Sequence, residues 1–209
     1  MKEKLVEYWL NNNIIKDKKL IEAFLAIPRE KFIREENLDE VYGDYPLPIG
    51  YGQTISQPST VMIMIQALEL KKGDKVLEIG TGSGWNAALI AHVIGNEGKV
   101  YTTEIIGELA LFAKENLKKL NINNVEVLAI DGSVGYKKQA PYNKIIVTAA
   151  CPDIPKPLLK QLKMNGILIA PVESFLCQKM VKITKLKHDF KKENLGAFSF
   201  VPLKGKYGY

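Results

Sequence analysis

The sequence predicts an α/β protein: a doubly wound, mostly parallel sheet with an antiparallel C-terminal edge and an N-terminal helical cap. Three observations carry this. From residue 71 onward, short apolar runs alternate with helical patterns, which requires a parallel sheet joined by right-handed crossovers. The first of those runs, Val76-Leu77-Glu78-Ile79, leads into Gly80-Thr81-Gly82-Ser83-Gly84-Trp85, the pattern of a buried strand, a tight turn and a helix N-terminus. Beyond residue 178, two strand-like stretches follow with no helix between them.

Composition sets the frame. A chain of 209 residues with 46% hydrophobic content can bury one substantial core, so one domain is expected over 1–209. Within it, residues 1–70 read as a helical cap with a long loop, and residues 71–209 as the sheet core with its C-terminal strands. Cys151 and Cys177 are too few for a disulfide framework and lack zinc spacing, so no metal and a reducing cytoplasm are expected. Met1-Lys2-Glu3-Lys4 runs straight into an amphipathic pattern, unlike a signal peptide, and no apolar run reaches membrane-spanning length. The net charge of +6 is scattered over pairs such as Lys71-Lys72 and Lys118-Lys119. Dispersed charge of this kind describes solvated faces rather than a nucleic-acid stripe.

In the cap, Leu5, Val6, Trp9 and Leu10 recur at helical spacing, as do Leu20, Phe24 and Leu25. Pro28 ends the second helix, and Arg29–Phe32 opens a short further one. Residues 41–60 hold Pro46, Pro48 and Pro58 with Gly43, Gly50 and Gly52, so a regular helix or central strand is excluded. Their aromatic and aliphatic content argues for order, and the reading is an ordered loop lining a site. Pro58-Ser59-Thr60 then starts a helix with Val61, Met62, Ile65 and Leu68 on one face, where Met62 and Met64 serve packing.

The core follows as strand 75–79, helix 86–94 ended by Gly95, strand 99–104, helix 108–120, strand 125–130, strand 144–148, helix 156–162 and strand 167–170. The tail supplies strands 179–187 and 197–203.

In such a sheet, ligands sit outside the carboxyl ends of the strands. Three acids fall at successive ends: Glu78, Glu104 and Asp131, the last followed by Gly132. Glu104 lies 24 residues beyond Gly80, near the distance expected for an acid that accepts the ribose hydroxyls. Asp131 could accept an adenine amino group. Glu78, just before the glycines, would repel a pyrophosphate and suits the amino-acid end of S-adenosylmethionine better. The third glycine of a dinucleotide fingerprint falls on Trp85, and no Gly-Lys-Ser/Thr is present. A nucleoside site is therefore expected at Glu78, Gly80, Thr81, Gly82, Ser83, Gly84, Trp85, Glu104, Asp131 and Gly132. A methyl donor is the preferred ligand, and NAD is the alternative. After the fourth strand comes Thr148-Ala149-Ala150-Cys151-Pro152 rather than Asn/Asp-Pro-Pro-aromatic, which favours an oxygen acceptor over an amino group.

Four stretches then match a family: Leu47-Pro48-Ile49-Gly50 with Gln53-Thr54-Ile55-Ser56-Gln57-Pro58; Val76–Trp85; Tyr142–Ala150 with Ile154-Pro155 and Leu159–Leu162; and Phe200-Val201-Pro202-Leu203. Arg29-Glu30-Lys31-Phe32 adds to them. Over essentially its whole length the chain resembles the protein-L-isoaspartate (D-aspartate) O-methyltransferases. The Gln-Thr-Ile-Ser-Gln-Pro loop is specific, whereas the glycine turn is shared by many methyltransferases. The resemblance implies a Rossmann-like class I methyltransferase fold and a monomeric cytoplasmic repair enzyme. Such an enzyme moves a methyl from S-adenosylmethionine to the α-carboxylate of an L-isoaspartyl residue and leaves S-adenosylhomocysteine. The family's name extends the acceptor to D-aspartyl residues. Its partners would be age-damaged proteins and peptides, with neither nucleic acid nor membrane involved. The resemblance also makes Ser56 the active-site residue. It places Gln53, Thr54, Ile55, Gln57, Pro58 and Val201 on the substrate side. Ser199, and Glu173 after Pro171-Val172, depart from many relatives and bear on peptide preference. Two rivals stand beside this reading: an RNA or small-molecule O-methyltransferase on the same core, and a non-catalytic nucleoside-binding protein.

Overall fold

A computed structural model describes all 209 residues. The cap begins with α1 (Lys2–Asn11) and α2 (Lys18–Ala26). Asp17 starts α2, its carboxylate accepting from the Lys19 and Leu20 N–H groups at 2.9 and 3.3 Å. A cap of this kind is worth about 1 kcal/mol. Trp9 meets Phe24 edge to face at 4.7 Å, and its indole N–H donates to Ser59 Oγ at 2.6 Å, tying α1 to α2 and to the start of α3 (Pro58–Leu68). Leu10 and Leu25, although at helical spacing, are exposed. The short helix expected at Arg29–Phe32 is a single 3-10 turn, Arg29–Lys31.

The loop at 41–60 contains structure the proline count concealed. Leu47–Gly50 (β1) and Gln53–Ile55 (β2) form an antiparallel hairpin, with Leu47 opposite Ile55. Two strands standing alone have no ladder that Pro48 must serve on both sides, so proline is tolerated there.

The core sheet comprises β3 (Lys75–Ile79), β4 (Lys99–Glu104), β5 (Val125–Ala129), β6 (Tyr142–Val147), β7 (Leu162–Glu173), β8 (Gln178–Lys185) and β9 (Phe190–Phe198) in the order β5-β4-β3-β6-β7-β8-β9. Pairing is parallel from β5 through β7 and antiparallel for β7–β8 and β8–β9. The helices α4 (Trp85–Ile94), α5 (Gly107–Lys119) and α6 (Lys156–Gln161) complete the crossovers. α4 is apolar almost all round and buried along its length, because α2 packs on its outer side while the sheet covers its inner side. One continuous apolar cluster joins the cap (Trp9, Phe24, Ile49, Met62) to α4 and to Val76 and Val100 of the sheet. A second, behind the sheet, joins Leu77, Tyr142, Leu158 and Ile183.

The tail departs from expectation. The final strand is Phe190–Phe198 rather than 197–203. It lies on the sheet edge, mostly exposed, so Lys191-Lys192-Glu193 carries no apolar run that would announce it. Residues 200–203 instead lie beside the end of β6: the Ala150 N–H donates to Val201 O, and the Leu203 N–H to Ala150 O, both at 2.8 Å. β7 is longer than expected, absorbing an irregular step opposite Tyr142 and Lys144 before its buried run.

Candidate active site

The order β5-β4-β3-β6 reverses direction at β3, and the crevice beyond its carboxyl end is where a ligand site should form. The turn after β3 runs through Gly80 (φ +95°), Gly82 (φ +54°) and Gly84 (φ +89°), conformations that side chains rarely adopt. A cleft opens there. Its wall is built by the glycine turn, the ends of β4 and β6, the start of α4, the hairpin with Ser56, and the tail at 200–204.

Of the residues expected around a nucleoside, Gly80, Thr81, Gly82, Ser83, Trp85, Glu104 and Gly132 line this cleft; of those expected on the substrate side, Gln53, Thr54, Ile55, Ser56 and Val201 do. Two distant stretches, one before the sheet and one after it, are thereby brought to the same opening. Glu104 holds the turn from β4: its Oε2 accepts from the Gly82 N–H at 2.9 Å and its Oε1 from the Ile106 N–H at 3.0 Å. None of the side-chain hydrogen bonds within the chain engages the Ser56 hydroxyl; its main-chain carbonyl accepts from Arg29 Nη2 at 3.0 Å.

Five expected residues stand behind the wall. Glu78 is fully buried, its carboxylate accepting from Thr102 Oγ1 and Asn86 Nδ2. Burial pushes its pKa up to about 7 against the pull of those two hydrogen bonds, and the charge of Glu104 adds to the rise. Thr102 also contacts Thr81 Oγ1 at 2.7 Å. Glu78 therefore acts on the cleft through Asn86 and Thr81, both of which line it. Asp131 accepts from the Ser133 and Lys206 N–H groups at 2.8 and 2.9 Å. Burial raises its pKa, but these bonds and the Lys206 charge outweigh that and hold it below the usual carboxylate value. It anchors the C-terminal tail while its neighbour Gly132 forms the wall. Gly84 packs against Ala113 of α5, Gln57 Oε1 accepts from Thr60 Oγ1, and Pro58 is buried at the first turn of α3.

Sequence reasoning missed Asn86, Thr103, Ile105, Ile106, Thr148, Ala149 and Lys204, all in the wall. Asn86 could have been found, as a polar residue in the first turn of an otherwise apolar helix. Thr148 also had a signal, at a strand's carboxyl end. Lys204 follows the matched tail segment and had none. Met64, read as packing, is buried and also borders the cleft. Both histidines, His92 and His188, are exposed and outside it.

The residues fit S-adenosylmethionine. Glu104 is the only acid in the wall and Lys204 the only base, so no cationic cradle for a pyrophosphate exists. Glu78 takes the Asn86 amide nitrogen and so leaves Asn86 Oδ1, buried and without a partner, as an acceptor suited to an ammonium group. Trp85 Nε1 is likewise buried without a partner. A Cβ at Gly82 would stand in van der Waals contact with Ile49 Cδ1 at 3.5 Å.

Comparison with known proteins gives one consistent picture. The family profile described as protein-L-isoaspartate(D-aspartate) O-methyltransferase matches residues 1–208. A protein-L-isoaspartate O-methyltransferase of Ignicoccus hospitalis is 50% identical over 203 residues, covering 97% of this chain and 96% of its own. Protein-L-isoaspartate O-methyltransferase 2 of Archaeoglobus fulgidus is 48% identical over 208 residues, covering all of this chain and 94% of its own. Among solved structures, a protein-L-isoaspartate O-methyltransferase superimposes with TM-score 0.91 at 32% identity, over all of this chain and 67% of that one. A Plasmodium falciparum protein described as a putative member, in complex with S-adenosyl-L-homocysteine, superimposes with TM-score 0.85 at 28% identity, over 97% and 98%.

Proposed function

The chain belongs to the protein-L-isoaspartate (D-aspartate) O-methyltransferase family, and from that premise we infer that Ser56 is the residue that orients its acceptor. The enzyme transfers a methyl group from S-adenosylmethionine to the α-carboxylate of L-isoaspartyl residues in damaged proteins and peptides. S-adenosylmethionine supplies, when bound, a methyl on a positively charged sulfur, and it leaves as neutral S-adenosylhomocysteine.

The acceptor dictates what the protein must do. An α-carboxylate has a pKa of about 3.5 and is ionised at neutral pH, so no general base is needed. This agrees with a cleft that holds no histidine. Catalysis then rests on placement and exclusion of water, which can supply roughly 7–11 kcal/mol in favourable systems. The Ser56 hydroxyl donates to a carboxylate oxygen and aims the other at the methyl. Glu104 accepts the ribose hydroxyls, Asn86 Oδ1 accepts from the ammonium group, and the glycine turn admits the donor against main chain. Val201 and Phe200 of the tail, with Gln53 to Ile55 of the hairpin, form the peptide side.

The observation that most supports this reading is that Ser56, with its hydroxyl free, and the glycine turn border one cleft. The enzyme works as a cytoplasmic monomer without nucleic acid. In support, the cleft is complete within one chain, both cysteines are free, and Lys204 is the only base in the wall. Transfer of radiolabelled methyl tests the proposal: label should enter an isoaspartyl peptide and not the matched aspartyl peptide or a transfer RNA. Equal labelling of the two peptides, or labelling of RNA alone, would defeat it.

A further inference from the structure

Arg29 stands outside the cleft wall, yet its side chain is fully buried. None of the protein's three ion pairs involves it. A buried cation without a carboxylate is rare and must be compensated otherwise. Here the compensation comes from main chain and an aromatic face. Nη1 donates to Val41 O and Nη2 to Ser56 O at 3.0 Å, with Tyr45 O at 3.5 Å. The guanidinium carbon lies 5.2 Å from the centroid of Trp85, which lines the cleft. Burial lowers the pKa to about 10, opposed by Tyr42, Asp44 and Tyr45, so the charge persists at neutral pH.

All three carbonyls belong to one stretch, residues 41–56, whose only regular structure is one small hairpin. Such a stretch has little regular hydrogen bonding to hold it. A planar fork can fix several carbonyls in one geometry, whereas a lysine ammonium on a flexible stem cannot. Neighbouring bonds reinforce the same stretch: Asp44 accepts from the Ser59 N–H and hydroxyl at 2.9 and 2.7 Å.

We propose that Arg29 is a positioning residue for methyl transfer, whose guanidinium fixes the Ser56 main chain against Trp85 so that the Ser56 hydroxyl meets the acceptor. The proposal rests on the orienting role assigned to Ser56. It makes Arg29 matter to turnover only through that hydroxyl.

A double-mutant cycle tests it. Arg29→Lys is made in the wild-type and Ser56→Ala backgrounds, with Arg29→Gln as a second variant should the first not fold. Melting, S-adenosylhomocysteine affinity, and kcat and KM for an isoaspartyl peptide are measured. Arg29→Lys should lower kcat/KM about 10–100-fold, the scale of a small misplacement of a reacting group, while S-adenosylhomocysteine affinity stays within about threefold. In the Ser56→Ala background the same change should cost no more than about twofold, because coupled sites are not additive. Equal losses in both backgrounds, or wild-type turnover in Arg29→Lys, would overturn the proposal. So would failure of both variants to bind S-adenosylhomocysteine, since Arg29 would then be a folding residue. A wild-type protein that binds S-adenosylhomocysteine but never methylates the peptide would overturn the role of Ser56 as well.

Discussion

Replacing Glu78 by glutamine should make the protein more stable at alkaline pH and weaken its hold on the cofactor. The carboxyl sits with no exposed surface between β4 and α4, and its pKa rises from 4.5 to about 7. Between those values the native state retains a proton that the unfolded chain has released. The stability this group contributes is therefore full below pH 4.5 and is lost as pH rises through 7. A shift of about 2.5 pH units corresponds to about 3 kcal/mol. Glutamine cannot ionise, so the stability difference between Glu78→Gln and wild type should grow by about 3 kcal/mol from pH 4.5 to pH 8.5. Denaturant unfolding at steps across that range measures it, and titrations of groups not coupled to Glu78 cancel in the difference. The second consequence concerns the cleft. Above pH 7 the ionised Glu78 presents only acceptors, whereas glutamine presents one N–H₂; where that group faces Asn86, Asn86 turns over or loses its bond, and Asn86 Oδ1 is no longer left as a free acceptor. S-adenosylhomocysteine should bind about tenfold more weakly, about 1.4 kcal/mol, within the range of a hydrogen bond to a charged group. Parallel stability curves for the two proteins would refute the claim that Glu78 titrates in its buried position. Unchanged affinity would refute the link through Asn86.

Ser56→Ala should lower kcat for the isoaspartyl peptide by about 10–100-fold, the scale of lost positioning, with S-adenosylhomocysteine affinity unchanged by calorimetry; comparable loss of affinity would remove its orienting role. Glu104→Ala should weaken S-adenosylmethionine binding by about 1–3 kcal/mol, the scale of a lost charged hydrogen bond, and calorimetry showing no change would dismiss the ribose assignment. Gly82→Val should abolish cofactor binding, because φ is +54° there, which a β-branched residue adopts only with strain, and the added side chain stands in the cleft wall; normal binding by that variant would contradict the close approach of donor to main chain.

How much of this was legible in the sequence differs by region for physical reasons. β3, β4 and β6 are covered on both faces, so each is rich in aliphatic, β-branched or aromatic residues bounded by turns, and their positions were readable to within two residues. β9 lies at an edge, and its charged exposed residues resemble a loop. β1 and β2 were hidden by Pro48 and the glycine turn, which an isolated hairpin tolerates. The strand-end acids teach a sharper lesson. Position in sequence puts an acid at the mouth of the sheet, but only the folded neighbours decide its partner. Glu104 reaches the cleft, Glu78 is taken by Thr102 and Asn86, and Asp131 is taken by Lys206 of a tail 75 residues away. Arg29 shows the same limit, since nothing near it in sequence reveals that its partners are carbonyls of residues 41, 45 and 56.

A crystal structure of the protein with S-adenosylhomocysteine and an isoaspartyl peptide addresses the central claim most directly. The account predicts an α-carboxylate oxygen about 2.6–3.2 Å from Ser56 Oγ, the other oxygen facing the sulfur, and the ribose against Glu104. A peptide bound away from the hairpin, or a sulfur on the far side of Trp85 from Ser56, would contradict it.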